Sequence, residues 1–154
     1  MERSKAITAI LFLFLLLSAC STSHDFVITN RSRSPIEVEY EWKGCTAGSP
    51  VDVLRPGKLS VPEFEKGSWD WRPIDDQQLS ENACRFRVAV QPNEALRVEH
   101  ASGYAGHESK DSDLLFGIYK LRITGSNGTI ILEGRQTQTS FKKNDAGDYV
   151  IDYE

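Results

Sequence analysis

Three kinds of side chain in this 154-residue chain could do chemistry: a stretch of histidines and carboxylates, a pair of neighbouring tryptophans, and three cysteines. His100 and His107 stand among Glu99, Glu108, Asp111 and Asp113, residue types that bind divalent cations. Zinc needs nitrogen or sulfur ligands converging as a tetrahedron, and the spacing from His100 to His107 fits no common zinc pattern. Asp111 and Asp113 resemble the opening of a calcium loop, but its glycine and distal glutamate are missing. The stretch 102–112 therefore reads as a polar loop joining two strands, and no metal is expected. Trp69 and Trp71 are a better candidate. If residues 68–72 are extended, both indoles face one side, where exposed aromatics stack on sugar rings or anchor a protein partner. Tyr104 can join them as a contact residue; large aromatics in strands also serve as plain core. Catalysis finds no footing: there is no nucleophile elbow, no phosphate-cradling glycine loop and no dinucleotide fingerprint. Asp75-Asp76 reads as solvated surface. The expectation is a non-enzyme without cofactors.

The cysteines are Cys20, Cys45 and Cys84. Before the first come Arg3 and Lys5, an unbroken apolar run over residues 9–17, and then Ser18 and Ala19. A basic start, a short apolar stretch and small residues make up a secretory leader, and the run is too short to span a bilayer comfortably. The sequence Leu17-Ser18-Ala19-Cys20 closely resembles the lipobox of bacterial lipoproteins, a likeness that covers about the first twenty residues. It implies a signal peptide of residues 1–19, cleavage before Cys20 and a diacylglycerol on that thiol. Similar lipoproteins end with three acyl chains, which at ~0.8 kcal/mol per buried methylene hold firmly where one chain would not. Ser21, rather than an acidic residue, follows Cys20. The resemblance thus implies a lipid-anchored protein at the periplasmic face of the outer membrane. Residues 20–24 are then a lipidated tether, ~17 Å long at most, and 25–154 one domain.

Without residues 1–19, the chain has 135 residues, enough for one core. The leader holds Arg3 and Lys5 against Glu2, so the remainder carries 16 basic and 21 acidic side chains, a net charge of −5. Such a balance offers no electrostatic grip on nucleic acid or on an anionic membrane surface. Met1 is the sole methionine, which excludes a methionine-rich copper site. If lipid takes Cys20, then Cys45 and Cys84 remain in an oxidising compartment, and a disulfide is the natural reading. It would close a loop of 39 residues and contribute ~4 kcal/mol on the chain-entropy account. Two free thiols or a redox pair are the alternatives; redox chemistry favours a closer spacing.

The elements that must position these residues are strands. Ile36, Val38, Tyr40 and Trp42 alternate with Glu37, Glu39 and Glu41, giving a half-buried strand with an acidic outer face. Cys84, Phe86, Val88 and Val90 alternate with Arg85 and Arg87. Further runs are 26–29, 96–100, 119–123, 130–132, 137–141 and 149–153. Gly125-Ser126-Asn127-Gly128 and Asn144-Asp145-Ala146-Gly147 read as hairpin turns, and residues 30–35 as another turn. No helical repeat stands out beyond a turn within 75–83. About eight or nine short strands predict an all-β antiparallel sandwich, immunoglobulin-like, with a small closed β-barrel as the alternative. The ends of the acidic and basic strands carry the two cysteines, which predicts antiparallel neighbours with Glu39 and Glu41 facing Arg85 and Arg87. The function expected is a non-catalytic binding or assembly module of the cell envelope, with the membrane and an envelope protein as partners. A glycan- or peptidoglycan-binding protein, or a lysozyme inhibitor, is the alternative.

Overall fold

A computed structural model describes residues 21–43, 56–68, 70–74, 85–104 and 117–154, leaving out the side chains of 21, 22 and 102–104. The leader and Cys20, the pair Cys45 and Cys84, the segment 75–83, Trp69, His107, Glu108, Asp111 and Asp113 lie outside these residues, as does the side chain of Tyr104.

Ten strands are described: β1 Ser21–Asn30, β2 Ile36–Trp42, β3 Gly57–Ser60, β4 Arg72–Pro73, β5 Arg85–Val90, β6 Glu94–Tyr104, β7 Ile118–Gly125, β8 Gly128–Glu133, β9 Lys142–Lys143 and β10 Tyr149–Tyr153. Two short helices accompany them, α1 Val61–Glu65 and α2 Arg135–Ser140. A six-stranded sheet has the order β4-β3-β6-β1-β10-β9, and a four-stranded sheet the order β5-β2-β7-β8. The two pack face to face as an all-β sandwich, open at its sheet edges rather than closed as a barrel. Every pair is antiparallel except β1 and β10, which run parallel in the register Phe26↔Tyr149 to Asn30↔Tyr153.

Alternation explains the main core. Val38, Tyr40, Phe86, Val88, Leu121 and Ile123 point inward from the four-stranded sheet, and Phe26, Ile28, Leu96, Val98, Ile151 and Tyr153 meet them from the other. Each buried aliphatic or aromatic side chain of this kind contributes about 1.5–3 kcal/mol. The six-stranded sheet is covered on its far side too: Val27, Ala95 and Val150 pack there against Leu59, Val61 and Phe64. Helix α1 brings the last two, begun by Ser60, whose hydroxyl accepts the Glu63 N–H while Glu63 reaches back to the Ser60 N–H. So β1 is buried on both faces, and Asp25, Val27 and Thr29 face the second cluster while Phe26, Ile28 and Asn30 face the first.

Three expectations need correction; one is the loop 102–112, whose residues 102–104 continue β6. The first strand does not begin at Phe26: residues 21–24 pair with β6, from Ser21↔Tyr104 to His24↔Ala101, so they are strand and not a free tether. The run 137–141 is mostly helix. Thr137 is fully buried, its hydroxyl reaches the Tyr119 carbonyl, and Gly134 turns the chain with a φ of 56°. That local demand outweighs the strand-like alternation of Thr137, Thr139 and Phe141. The expected pairing of the acidic and basic strands is present: Glu39 lies opposite Arg87 and Glu41 opposite Arg85.

Candidate functional site

The polar chemistry of the described residues gathers in three places, and β6 supplies two of them. A bulge in the β1–β6 ladder between Phe26 and Val27 re-aims the strand, so that Asp25 sits opposite His100 and Phe26 opposite Glu99. His100 and Glu99 therefore leave β6 on opposite faces.

On the outer face, Asp25 is 1% exposed, and a buried carboxylate must be matched by donors. The Trp71 indole N–H donates to it at 3.0 Å, His100 Nδ1 lies 2.6 Å away, and Arg97 Nη1 stands at 3.8 Å. The Asp25 backbone N–H in turn donates to Asp148 at 3.0 Å. Arg97 stacks over the Trp71 ring, 5.1 Å from its centroid, and Phe64 tilts against that ring at 5.9 Å. Trp71 is thus seated in the second apolar cluster with its N–H committed, rather than standing free as a stacking platform. A carboxylate holding an imidazole can orient a base. Among the described residues, however, the imidazole bonds no serine or cysteine, and no three His, Cys, Asp or Glu side chains group as metal ligands.

On the inner face, Glu99 is 7% exposed. Both its oxygens accept the Gly117 N–H, at 3.0 and 3.1 Å. Burial pushes this carboxyl up to about 7, against the opposing pull of the Gly117 and Ile118 backbone N–H groups. The neighbouring Tyr40 hydroxyl is raised by burial and by the Glu99 charge. That hydroxyl and the Trp42 indole N–H are both buried without a hydrogen-bond partner among the described residues. Trp42 also closes on Gly117, where a Cβ would fall 2.1 Å from the ring, so only glycine fits.

The third place is the outer face of the four-stranded sheet. Register sets Arg85, Glu41, Lys120 and Glu133 in one row, and Arg87, Glu39, Arg122 and Ile131 in the next. Neighbours in these rows pair: Arg85 with Glu41, Arg87 with Glu39, and Lys120 with Glu133 at 2.8 Å. Elsewhere, an open cleft of about 250 Å³ lies between α1 and the β9–β10 turn, with Phe64 and Val150 lining it. Arg31 ties its rim, meeting Glu65 and Asp152 at 2.8 Å each. Burial raises the Asp152 carboxyl, but Thr29 and Arg31 outweigh it and hold the group below the ordinary range.

Of the residues singled out in sequence, His100 and Trp71 meet on one carboxylate. Glu99, named beside the histidines, is turned instead to the inner face, and Asp25 and Arg31 had no local signal: the partners of these three come from 18 to 123 residues away. The chain matches no family model, and neither the curated proteins nor the solved structures give a significant match.

Proposed function

We propose that this protein is a lipid-anchored lipoprotein of the bacterial cell envelope whose sandwich is a non-catalytic binding or assembly module. The observation that carries the reading is the place where strand structure begins. The lipobox-like sequence ends at Cys20, and β1 starts at Ser21. A lipid on Cys20 would therefore join the sandwich without a linker and hold it against the bilayer by the β1 end. The two-faced burial of β1 supports the same reading. An anchoring strand packed between two apolar clusters resists being drawn out of the fold. Both sheet faces carry charged or tied side chains on rigid strands, which suits presentation to an envelope protein rather than turnover of a substrate.

Intact-mass analysis of the native protein tests the anchor. A chain starting at an acylated Cys20 is expected. An unmodified thiol there, or a chain that still begins at Met1, would sink the proposal. Replacing residues 1–20 by a cleavable leader without cysteine should move the protein from the membrane to the soluble fraction with its melting temperature unchanged. Cross-linking in native membranes should then recover an envelope protein with the anchored form and less with the released form.

A further inference from the structure

We propose that the free edge of β8 pairs antiparallel with β8 of a second copy of this chain, about a two-fold axis at Ile131, to form one continuous eight-stranded sheet. The argument begins with how each sheet edge is treated. Exposed edges pair with other chains unless they are short, carry proline or basic side chains, or bulge. The β4 edge has two residues, one of them Pro73, and the β9 edge is Lys142–Lys143. The β5 edge carries Arg85 and Arg87, and Lys58 reaches across to the Ala89 carbonyl. Only β8, among the described edges, runs for six residues with no proline, lysine, arginine or bulge.

The apolar surface points to the same strand. The exposed large apolar side chains of the described residues are Tyr119 at 48%, Ile130 at 38% and Ile131 at 51%, all on the β7–β8 hairpin. Ile130 and Ile131 leave β8 on opposite faces, so among the described residues the strand shows apolar surface on both sides of an unpaired edge, while Leu132 packs against the core.

Hydrogen-bond parity fixes which residues can pair, and side-chain type then selects the register. Gly125 and Gly128 close a two-residue turn, and Gly134 donates to the Tyr119 carbonyl at 2.8 Å. Alternation between these points directs the backbone groups of Gly128, Ile130 and Leu132 toward β7. Those of Thr129, Ile131 and Glu133 face outward. Two copies can join only through these odd-numbered residues. An axis at Ile131 sets Ile131 against Ile131, Ile130 against Leu132, and Thr129 against Glu133. The strand is symmetric in type about that axis: polar, apolar, isoleucine, apolar, polar. This is the self-complementarity a two-fold contact demands. Its charges agree. The single carboxylate of β8 meets the copy's threonine hydroxyl and never another carboxylate, and Lys120 keeps its pairing with Glu133. Shifting the axis to Leu132 would instead set Ile131 against Glu133. A five-residue edge contact is small beside the roughly 1,200 Å² of a stable interface, so the pair belongs to the weak class that crowding on a surface promotes.

The test uses the full chain in its native membranes, oxidised with copper phenanthroline and run without reductant. Ile131→Cys should give a band at twice the monomer mass. Thr129→Cys should not, because its copies lie about 13 Å apart along the strands, and neither should Lys142→Cys on the β9 edge or the unsubstituted chain. Ile131→Lys, checked for an unchanged melt, should lose the dimer trapped by a lysine-independent cross-linker. Three results overturn the proposal: no dimer from Ile131→Cys, equal dimers from all three positions, or an Ile131→Cys product at another mass. Cross-linking is read in whichever fraction holds the chain, so failure of the anchor reading shows in the fractionation alone.

Discussion

Glu99 is where a single residue most affects the energetics. Its carboxyl stands at about 7 in the fold, against an ordinary value of 4.5. A raised acid destabilises the fold when ionised. The unfolded chain loses this proton near pH 4.5 and the folded chain only near pH 7. Stability from this group is therefore highest below pH 4.5, declines between 4.5 and 7, and is level above. A shift of that size corresponds to about 3 kcal/mol at most. Glu99→Gln, which keeps an acceptor for the Gly117 N–H, should lack the decline. Urea unfolding of both proteins from pH 4 to 8 should show the curves separating as pH rises, with the variant the more stable at pH 8; parallel curves would refute this. Tyr40 gives a second prediction. Its ring stacks on Phe86 at 5.0 Å, but its hydroxyl has no hydrogen-bond partner among the described residues. Tyr40→Phe should thus raise stability by about 1 kcal/mol, whereas Tyr40→Ala should cost about 3–5 kcal/mol for the lost ring. Neither residue's environment could be read along the chain. Tyr40 was legible as an inward position of an alternating strand, but Glu99 stood only among the candidate cation-binding residues, because the bulge that turns it inward exists only once β1 and β6 have met.

At the scale of elements, the four-stranded sheet was the legible half of the molecule. Strands β2, β5 and β7 each have one apolar and one charged face, so period-two alternation gave most of their inward residues; it failed at the start of β7, where a register shift buries Ile118 and leaves Tyr119 48% exposed. In the six-stranded sheet, β1 and β10 were legible as the runs 26–29 and 149–153, but β1 buries residues on both faces, so alternation did not mark where it begins. Helix α1 carried a signal that was readable and missed: Ser60 and Glu63 in capping-box spacing, with Pro62 in the first turn. The charged rows make a prediction here. Arg87→Glu would set a carboxylate opposite Glu39 and near Glu37. Because Arg87 is well exposed, the loss should be under about 1 kcal/mol and should shrink in high salt, as melts at two ionic strengths would reveal. Gly117→Ala is the harsher test. It drives a methyl into the Trp42 ring beside the Glu99 hydrogen bonds and should cost about 1–3 kcal/mol irrespective of salt.

At the scale of the whole molecule, the proposed anchor makes distance from the bilayer the quantity to test. A module on a long flexible stalk searches a volume, whereas one whose first strand starts a residue after its anchor is held at fixed height and tilt. If the domain works by meeting an envelope partner at that height, inserting twenty glycine and serine residues between Cys20 and Ser21 should separate anchoring from function. Such a linker has an end-to-end distance of about 25 Å. The inserted protein should remain in the membrane fraction, and it should melt with the parent, because β1 still pairs with β6 and β10 on its two edges. Its cross-links to the envelope partner should fall, since the effective concentration of a matched pair drops when the linker no longer fits the span. Its β8 cross-link through Ile131→Cys should persist, because two copies on equal stalks still meet edge to edge. If partner cross-links survive the insertion unchanged, the short distance from Cys20 to β1 has no bearing on function, and the partner must be one that reaches the sandwich wherever it stands.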